Sequence, residues 1–174
     1  MLLASAPVQA LAQRASAWQF GFDGIEGGRL ELGSFRGRPV LVVNTASRCG
    51  FTNQYTGLQQ LWTRYQPRGL TVVGVPSNDF GGQEPGSNAD IQAFCSKDFG
   101  VTFPLAARTT VSGSQAHPFY AWAARERPTE TPRWNFHKYL IGRNGQIAAV
   151  FPTSTAPTDD RVILAVEKAL AGVA

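Results

Sequence analysis

The 174-residue sequence predicts an α/β domain in which a central mixed sheet is flanked by helices, with a β-hairpin at its N-terminal end. Three observations carry this expectation. Solid apolar runs, Val40-Leu41-Val42-Val43 and Leu70 to Val75, read as strands buried on both faces. Between and after them lie segments whose apolar residues recur at helical spacing. Near the C-terminus Asn144-Gly145 sits between two apolar runs, the strongest short-range hairpin signal. Strand, helix, strand, helix, then hairpin and helix is the order of a mixed sheet covered on both sides.

Each element has its own signal. Ala17 to Phe22 alternates and ends in Asp23-Gly24, and Arg29 to Leu32 follows Gly27-Gly28, which together predict the first hairpin. Strand Val40 to Thr45 is followed by a helix from Asn53 to about Gln66, with Leu58, Leu61, Trp62 and Tyr65 on one face and Pro67-Arg68-Gly69 as its stop. Ser87 with Asp90 three residues on has the spacing of a capping box, opening a helix that runs through Phe99. A helix over His117 to Arg125 is stopped by Pro128. Tyr139 to Gly142 and Gln146 to Phe151 form the second hairpin. Thr158 is expected to cap a last helix whose Val162, Ile163, Val166, Ala169 and Leu170 share one face.

Composition bounds the answer. With 43% hydrophobic residues the chain can fill one substantial core, and a single domain is expected over residues 17–174. No apolar run approaches the ~20 residues needed to span a bilayer. The net charge is +4, but the 16 Lys and Arg are scattered, whereas nucleic-acid binding calls for a basic stripe or a recognition module. His117 and His137 have no metal-ligand spacing to each other or to a cysteine, so each is expected as a surface or capping residue and no metal site is predicted. Gly27-Gly28 and Gly81-Gly82 lack the Lys-Ser/Thr ending of a phosphate loop and read as turns. Residues 1–16 have two readings, an N-terminal arm or a signal-peptide remnant. The segment has apolar then small residues but lacks a cationic start, and its apolar run is short. The second reading implies a periplasmic location, the first a cytoplasmic one.

Chemistry points to Cys49. It follows the strand Val40 to Thr45 and precedes the helix that starts near Asn53. A thiol between a strand end and a helix start meets unpaired backbone N–H groups and the positive end of the helix dipole, which favour thiolate. Arg48 beside it adds a cation. The thiolate is the nucleophile, so this placement favours chemistry over packing.

Asn44-Thr45-Ala46-Ser47-Arg48-Cys49-Gly50-Phe51-Thr52 resembles the active-site segment of the glutathione peroxidase family in its cysteine form. Gly82-Gln83-Glu84-Pro85 resembles that family's second motif and Trp134-Asn135-Phe136 its third, while Phe99 to Pro104 also fits. The similarity runs in motif order from about Trp18 to the C-terminus. It implies a thioredoxin-like fold and an enzyme that reduces hydrogen peroxide and organic hydroperoxides. By this resemblance Cys49, Gln83, Trp134 and Asn135 form the catalytic tetrad. The chemistry suits them: cleaving O–O by thiolate attack needs donors that align sulfur and peroxide, and a proton for the leaving oxygen. Two amides and an indole N–H donate without titrating near neutral pH.

Cys95 is the second cysteine, and three roles are open to it. It matches the position of the resolving cysteine in thioredoxin-dependent members of the family. It also falls four residues after Ile91 on an apolar helix face, where a core thiol is ordinary. A structural disulfide with Cys49 is the third. Where the family commonly reads Pro-Cys-Asn-Gln-Phe, this chain reads Pro76-Ser77-Asn78-Asp79-Phe80. That removes a third cysteine, leaving Cys95 as the only internal partner, and brings a carboxylate, Asp79, near the presumed site. The resulting expectation is a peroxidase that cycles through a Cys49 sulfenic acid and a Cys49–Cys95 disulfide, with thioredoxin or glutathione as thiol co-substrate and no bound cofactor. Regeneration by glutathione and a non-turnover peroxide sensor or redox relay are the alternatives. The segment Glu126 to Arg133 is shorter than the insertion that builds subunit contacts in tetrameric relatives, so a monomer is expected.

Overall fold

The computed structural model describes residues 14–173; the two readings of the segment before Arg14 lie outside the described residues. Two short strands, β1 (Gly21–Asp23) and β2 (Arg29–Glu31), pair antiparallel as the N-terminal hairpin. The main sheet has four strands, β3 (Val40–Thr45), β4 (Thr71–Pro76), β5 (Lys138–Ile141) and β6 (Ile147–Phe151), in the order β4-β3-β5-β6. β3 and β4 are parallel, while β5 runs antiparallel to both β3 and β6. Four helices complete the domain: α1 (Gln54–Tyr65), α2 (Asn88–Phe99), α3 (Pro118–Glu126) and α4 (Asp160–Leu170). This is the thioredoxin-like arrangement.

The period-two pleat divides β3 between two cores. Leu41 and Val43 join one cluster with Leu58 and Leu61 of α1, Ile91 and Cys95 of α2, and Val162 and Val166 of α4. Val40 and Val42 join the other with Phe119 and Trp122 of α3 and Phe22 and Leu32 from the hairpin region. All six residues of β3 and of β4 are buried, as their solid apolar runs require.

Three expectations are corrected in detail. Ala17–Gln19 forms a single 3₁₀ turn instead of strand, so β1 begins only at Gly21. The Ala17 N–H bonds the Gly145 carbonyl at 2.8 Å, which ties this stretch to the β5–β6 turn. The last helix is capped by Asp159, whose carboxylate accepts from the Arg161 N–H at 2.9 Å, and not by Thr158. A carboxylate answers the helix dipole better than a hydroxyl. Third, the helix after Cys49 starts at Gln54, with the Asn53 side chain making no cap bond. The capping box of Ser87 and Asp90 forms as read, each side chain bonded to the other's backbone N–H.

Candidate active site

Strand directions gather the three motifs. β3 and β4 are parallel and end together, Thr45 facing Pro76, and antiparallel β5 begins there, Lys138 facing Val43. The loop after β3 carries Cys49, the loop after β4 carries Gln83, and the segment before β5 carries Trp134 and Asn135. All three therefore issue from one edge of the sheet.

Within this edge the side chains are linked. Cys49 is a free thiol, 6% exposed, and its Sγ accepts from the Phe51 N–H at 3.4 Å. The helix start itself is five residues away, so one turn N–H reaches the sulfur where several were expected. The neighbouring Arg48 is exposed, and its N–H donates to the Gln83 carbonyl at 2.9 Å, tying the two loops together. Asn135 is fully buried and its Nδ2 donates to Gln83 Oε1 at 3.0 Å. That bond uses the acceptor end of the Gln83 amide and leaves its Nε2 hydrogens for another partner. Trp134 lies against Gly81, where a Cβ would come within 2.9 Å of ring atom Cη2. Gly81 also has φ +67°, so glycine is required twice over. Beside Trp134 opens a cleft of about 590 Å³, lined by Phe51, Val150 and Pro152 together with Arg133, His137 and Thr153.

Cys95 is also free, wholly buried in the middle of α2, and belongs to the same apolar cluster as Cys49. Burial pushes its thiol up to about 11, so it is protonated in this conformation. The Tyr55 hydroxyl lies beside it. Glu84, next to Gln83, is buried too; burial raises its carboxyl, offset in part by Ser47 and by the Arg108 and Arg48 charges.

Asp79 does not face the thiol. Its Oδ2 accepts from the Val111 N–H at 2.7 Å, the Ser112 N–H at 3.0 Å and the Ser112 hydroxyl at 3.2 Å. It fastens the 110s loop. His117 caps α3 as one of the expected alternatives: Nδ1 accepts from the Phe119 N–H at 3.1 Å while Nε2 contacts the Gly21 carbonyl at 3.0 Å, the pattern of a neutral ring. His137 is a correction. It is 5% exposed, packed on Tyr139, and burial aided by the Lys138 charge drops it to about 4. Among the described residues no group of three His, Cys, Asp or Glu is arranged to hold a metal, and no helix is long and apolar enough to cross a membrane.

Sequence reasoning missed the frame that holds the third motif. Asn44 Nδ2 donates to the Trp134 carbonyl at 3.0 Å, and the Thr153 hydroxyl to the Asn135 carbonyl at 2.6 Å. Lys138, fully buried, donates from Nζ to the Phe136 carbonyl at 2.6 Å. The Lys138 signal was available: a lone cation abutting the apolar run Tyr139-Leu140-Ile141.

Comparison with known proteins shows the family and the fold. The family model for glutathione peroxidase matches residues 17–124. A glutathione peroxidase-like peroxiredoxin of Chlamydomonas reinhardtii is 43% identical over 135 residues, covering 73% of this chain and 83% of its own. A hydroperoxy fatty acid reductase of Synechocystis sp. is 39% identical over 160 residues, covering 87% of this chain and 94% of its own. The crystal structure of T. cruzi GPX1 superposes with a TM-score of 0.72 at 29% identity, covering 91% of this chain and 98% of that one.

Proposed function

The chain belongs to the glutathione peroxidase family, and from that premise we propose that it is a two-cysteine peroxidase in which Cys49 attacks and Cys95 resolves. It is a thiol-dependent peroxidase acting on hydroperoxides. The observation that supports the residue roles is the joined pair Gln83 and Asn135, together with the bond from the N–H of Arg48, the residue before Cys49, to the Gln83 carbonyl.

The proposed cycle uses these side chains in turn. The Cys49 thiolate attacks one peroxide oxygen, the O–O bond breaks, and an S–OH forms while the other oxygen leaves as alcohol or water after taking a proton. Gln83 and Trp134 supply the N–H donors that align the peroxide and stabilise the leaving oxygen, and Asn135 fixes the orientation of Gln83. The Cys95 sulfur then attacks the sulfenic sulfur. Its thiol proton leaves with the hydroxyl as water, and a Cys49–Cys95 disulfide remains. A thioredoxin-type dithiol reduces that disulfide, so the electrons come from a thiol co-substrate and no cofactor is required. Bridged Cα atoms lie within about 7 Å, and with Cys95 wholly buried in α2 the bridge is proposed to form by a loosening of α2 after oxidation.

A second reading draws on that same burial. A Cys95 held protonated in the core suits a peroxidase in which glutathione attacks the Cys49 sulfenic acid directly and Cys95 is dispensable. Steady-state peroxide consumption with thioredoxin and its reductase, with glutathione, or with neither separates the readings. The two-cysteine reading predicts turnover with thioredoxin that stops in Cys95→Ser; undiminished turnover in that variant supports glutathione. No turnover with either reductant would indicate a sensor or relay.

A further inference from the structure

Three consecutive carbonyls, those of Trp134, Asn135 and Phe136, each accept a side-chain hydrogen bond from a different element. The donors are Asn44 at the end of β3, Thr153 just after β6 and Lys138 at the start of β5. The Phe136 N–H adds a bond to the Asn44 carbonyl at 2.6 Å. The clamped segment is strained: Phe136 is the one non-glycine residue with positive φ among the described residues, at 63°. A bulky residue holds that conformation only where its surroundings impose it. Its ring is buried against Tyr55, centroids 5.2 Å apart, and its carbonyl is fixed by Lys138. A lysine with no exposed surface is costly to bury, and this one spends its charge on a single backbone oxygen immediately after Trp134-Asn135. Burial brings its ammonium down to about 7, and its charge is felt by the neighbouring His137.

We propose that Lys138 and Thr153 are positioning residues for the peroxide step, locking the turn at Phe136 so that Asn135 stays bonded to Gln83 and Trp134 stays at the cleft. Neither bonds the Cys49 sulfur; Lys138 acts through the Phe136 carbonyl and Thr153 through that of Asn135. Without the clamp the turn relaxes toward negative φ, the Asn135 amide swings from Gln83, and the donors lose their alignment. The inference rests on the reading of Asn135 and Trp134 as members of the peroxide-reducing site.

The test compares two electrophiles on the same thiol in the full-length protein. Hydrogen peroxide at one equivalent needs the thiolate and the aligned donors; iodoacetamide needs the thiolate alone. Lys138→Met and Thr153→Val are expected to slow Cys49 oxidation by roughly ten- to a hundredfold, the scale of a misplaced catalytic group, with alkylation unchanged. Thr153→Ser, which restores the hydroxyl, recovers the peroxide rate. In an Asn135→Ala background Lys138→Met costs less than it does alone, since only the Trp134 part of the clamp is left to lose. If Lys138→Met does not fold, the Thr153 pair decides alone. Equal slowing of both electrophiles, or a wild-type peroxide rate in Lys138→Met and Thr153→Val while Asn135→Ala is slow, overturns the inference. A wild-type peroxide rate in Asn135→Ala instead overturns the reading on which it rests.

Discussion

Asn135 Nδ2 donates to Gln83 Oε1 across 3.0 Å, joining two residues 52 apart in the chain. The bond orients the Gln83 amide, since its oxygen is engaged and its N–H hydrogens are left over. Asn135 itself is wholly buried and its backbone is held by Thr153. Specificity of orientation thus passes inward, from a partly buried amide to a rigid frame.

Removing the oriented donors should slow the chemical step. Gln83→Ala and Trp134→Phe are each expected to reduce the rate of Cys49 oxidation by roughly ten- to a thousandfold, as for loss of one preorganised donor. Stopped-flow mixing with one equivalent of peroxide reads this directly. Wild-type rates in both would return Gln83 to a loop role and Trp134 to a packing role.

Most of the architecture was legible because it rests on local patterns. The β3 and β4 runs, the Ser87–Asp90 box and the Asn144-Gly145 turn each carry their own signal, and each forms. The motif order likewise gave the candidates Cys49, Gln83, Trp134 and Asn135, whose segments issue from one edge of the sheet. What escaped depends on tertiary context. The first strand began late because the Gly145 carbonyl captures Ala17, a contact across most of the chain. The clamp on residues 134–136 draws on β3, β5 and the turn after β6, which no window of sequence brings together. The orientation of Asp79 was equally hidden, being fixed by the distant Val111 and Ser112 amides.

Cys95→Ser should uncouple the cycle after its first step. Sealed in α2, Cys95 makes no contact that the attack by Cys49 requires, so the initial oxidation stays fast. Thioredoxin-coupled turnover is expected to stop, with Cys49 accumulating as sulfenic acid and then as higher oxides. Intact-protein mass spectrometry after successive additions of peroxide follows the added oxygens. Normal coupled turnover in the variant would remove Cys95 from the cycle.

His137 should shape acid stability. Burial, aided by the Lys138 charge, keeps its ring neutral down to about pH 4, against an ordinary value of 6.5. Below 6.5 the unfolded chain takes up a proton that the native protein refuses. The contribution is therefore whole above pH 6.5 and falls as pH drops to about 4, by up to on the order of 3 kcal/mol. Urea unfolding of wild type and His137→Phe between pH 7.5 and 4.5 checks this: the wild type should lose more stability on acidification. Parallel curves would mean that the ring titrates normally.

The protein is expected to be a monomer. Glu126 to Arg133 is short, charged and proline-rich, and three of its residues are engaged within the domain. Arg14 pairs with Glu126, Arg127 bonds Glu130 at 2.9 Å and the Ile147 carbonyl at 3.1 Å, and Tyr139 holds the Glu130 carbonyl at 3.0 Å. Such a segment lacks the weakly charged apolar core of a stable interface. Light scattering at micromolar concentration should give the mass of one chain. A stable tetramer would contradict this and weaken the case for a protein reductant reaching the cleft.

Cys49 is expected to be the thiol that reduces peroxide. One equivalent of hydrogen peroxide added to reduced protein, followed by alkylation, proteolysis and mass spectrometry, tests it in a single measurement on wild type and Cys49→Ser. A Cys49–Cys95 linked peptide is expected in the wild type, and in Cys49→Ser an unoxidised Cys95 with peroxide left unconsumed while circular dichroism is unchanged. Peroxide consumption by Cys49→Ser at the wild-type rate would contradict it.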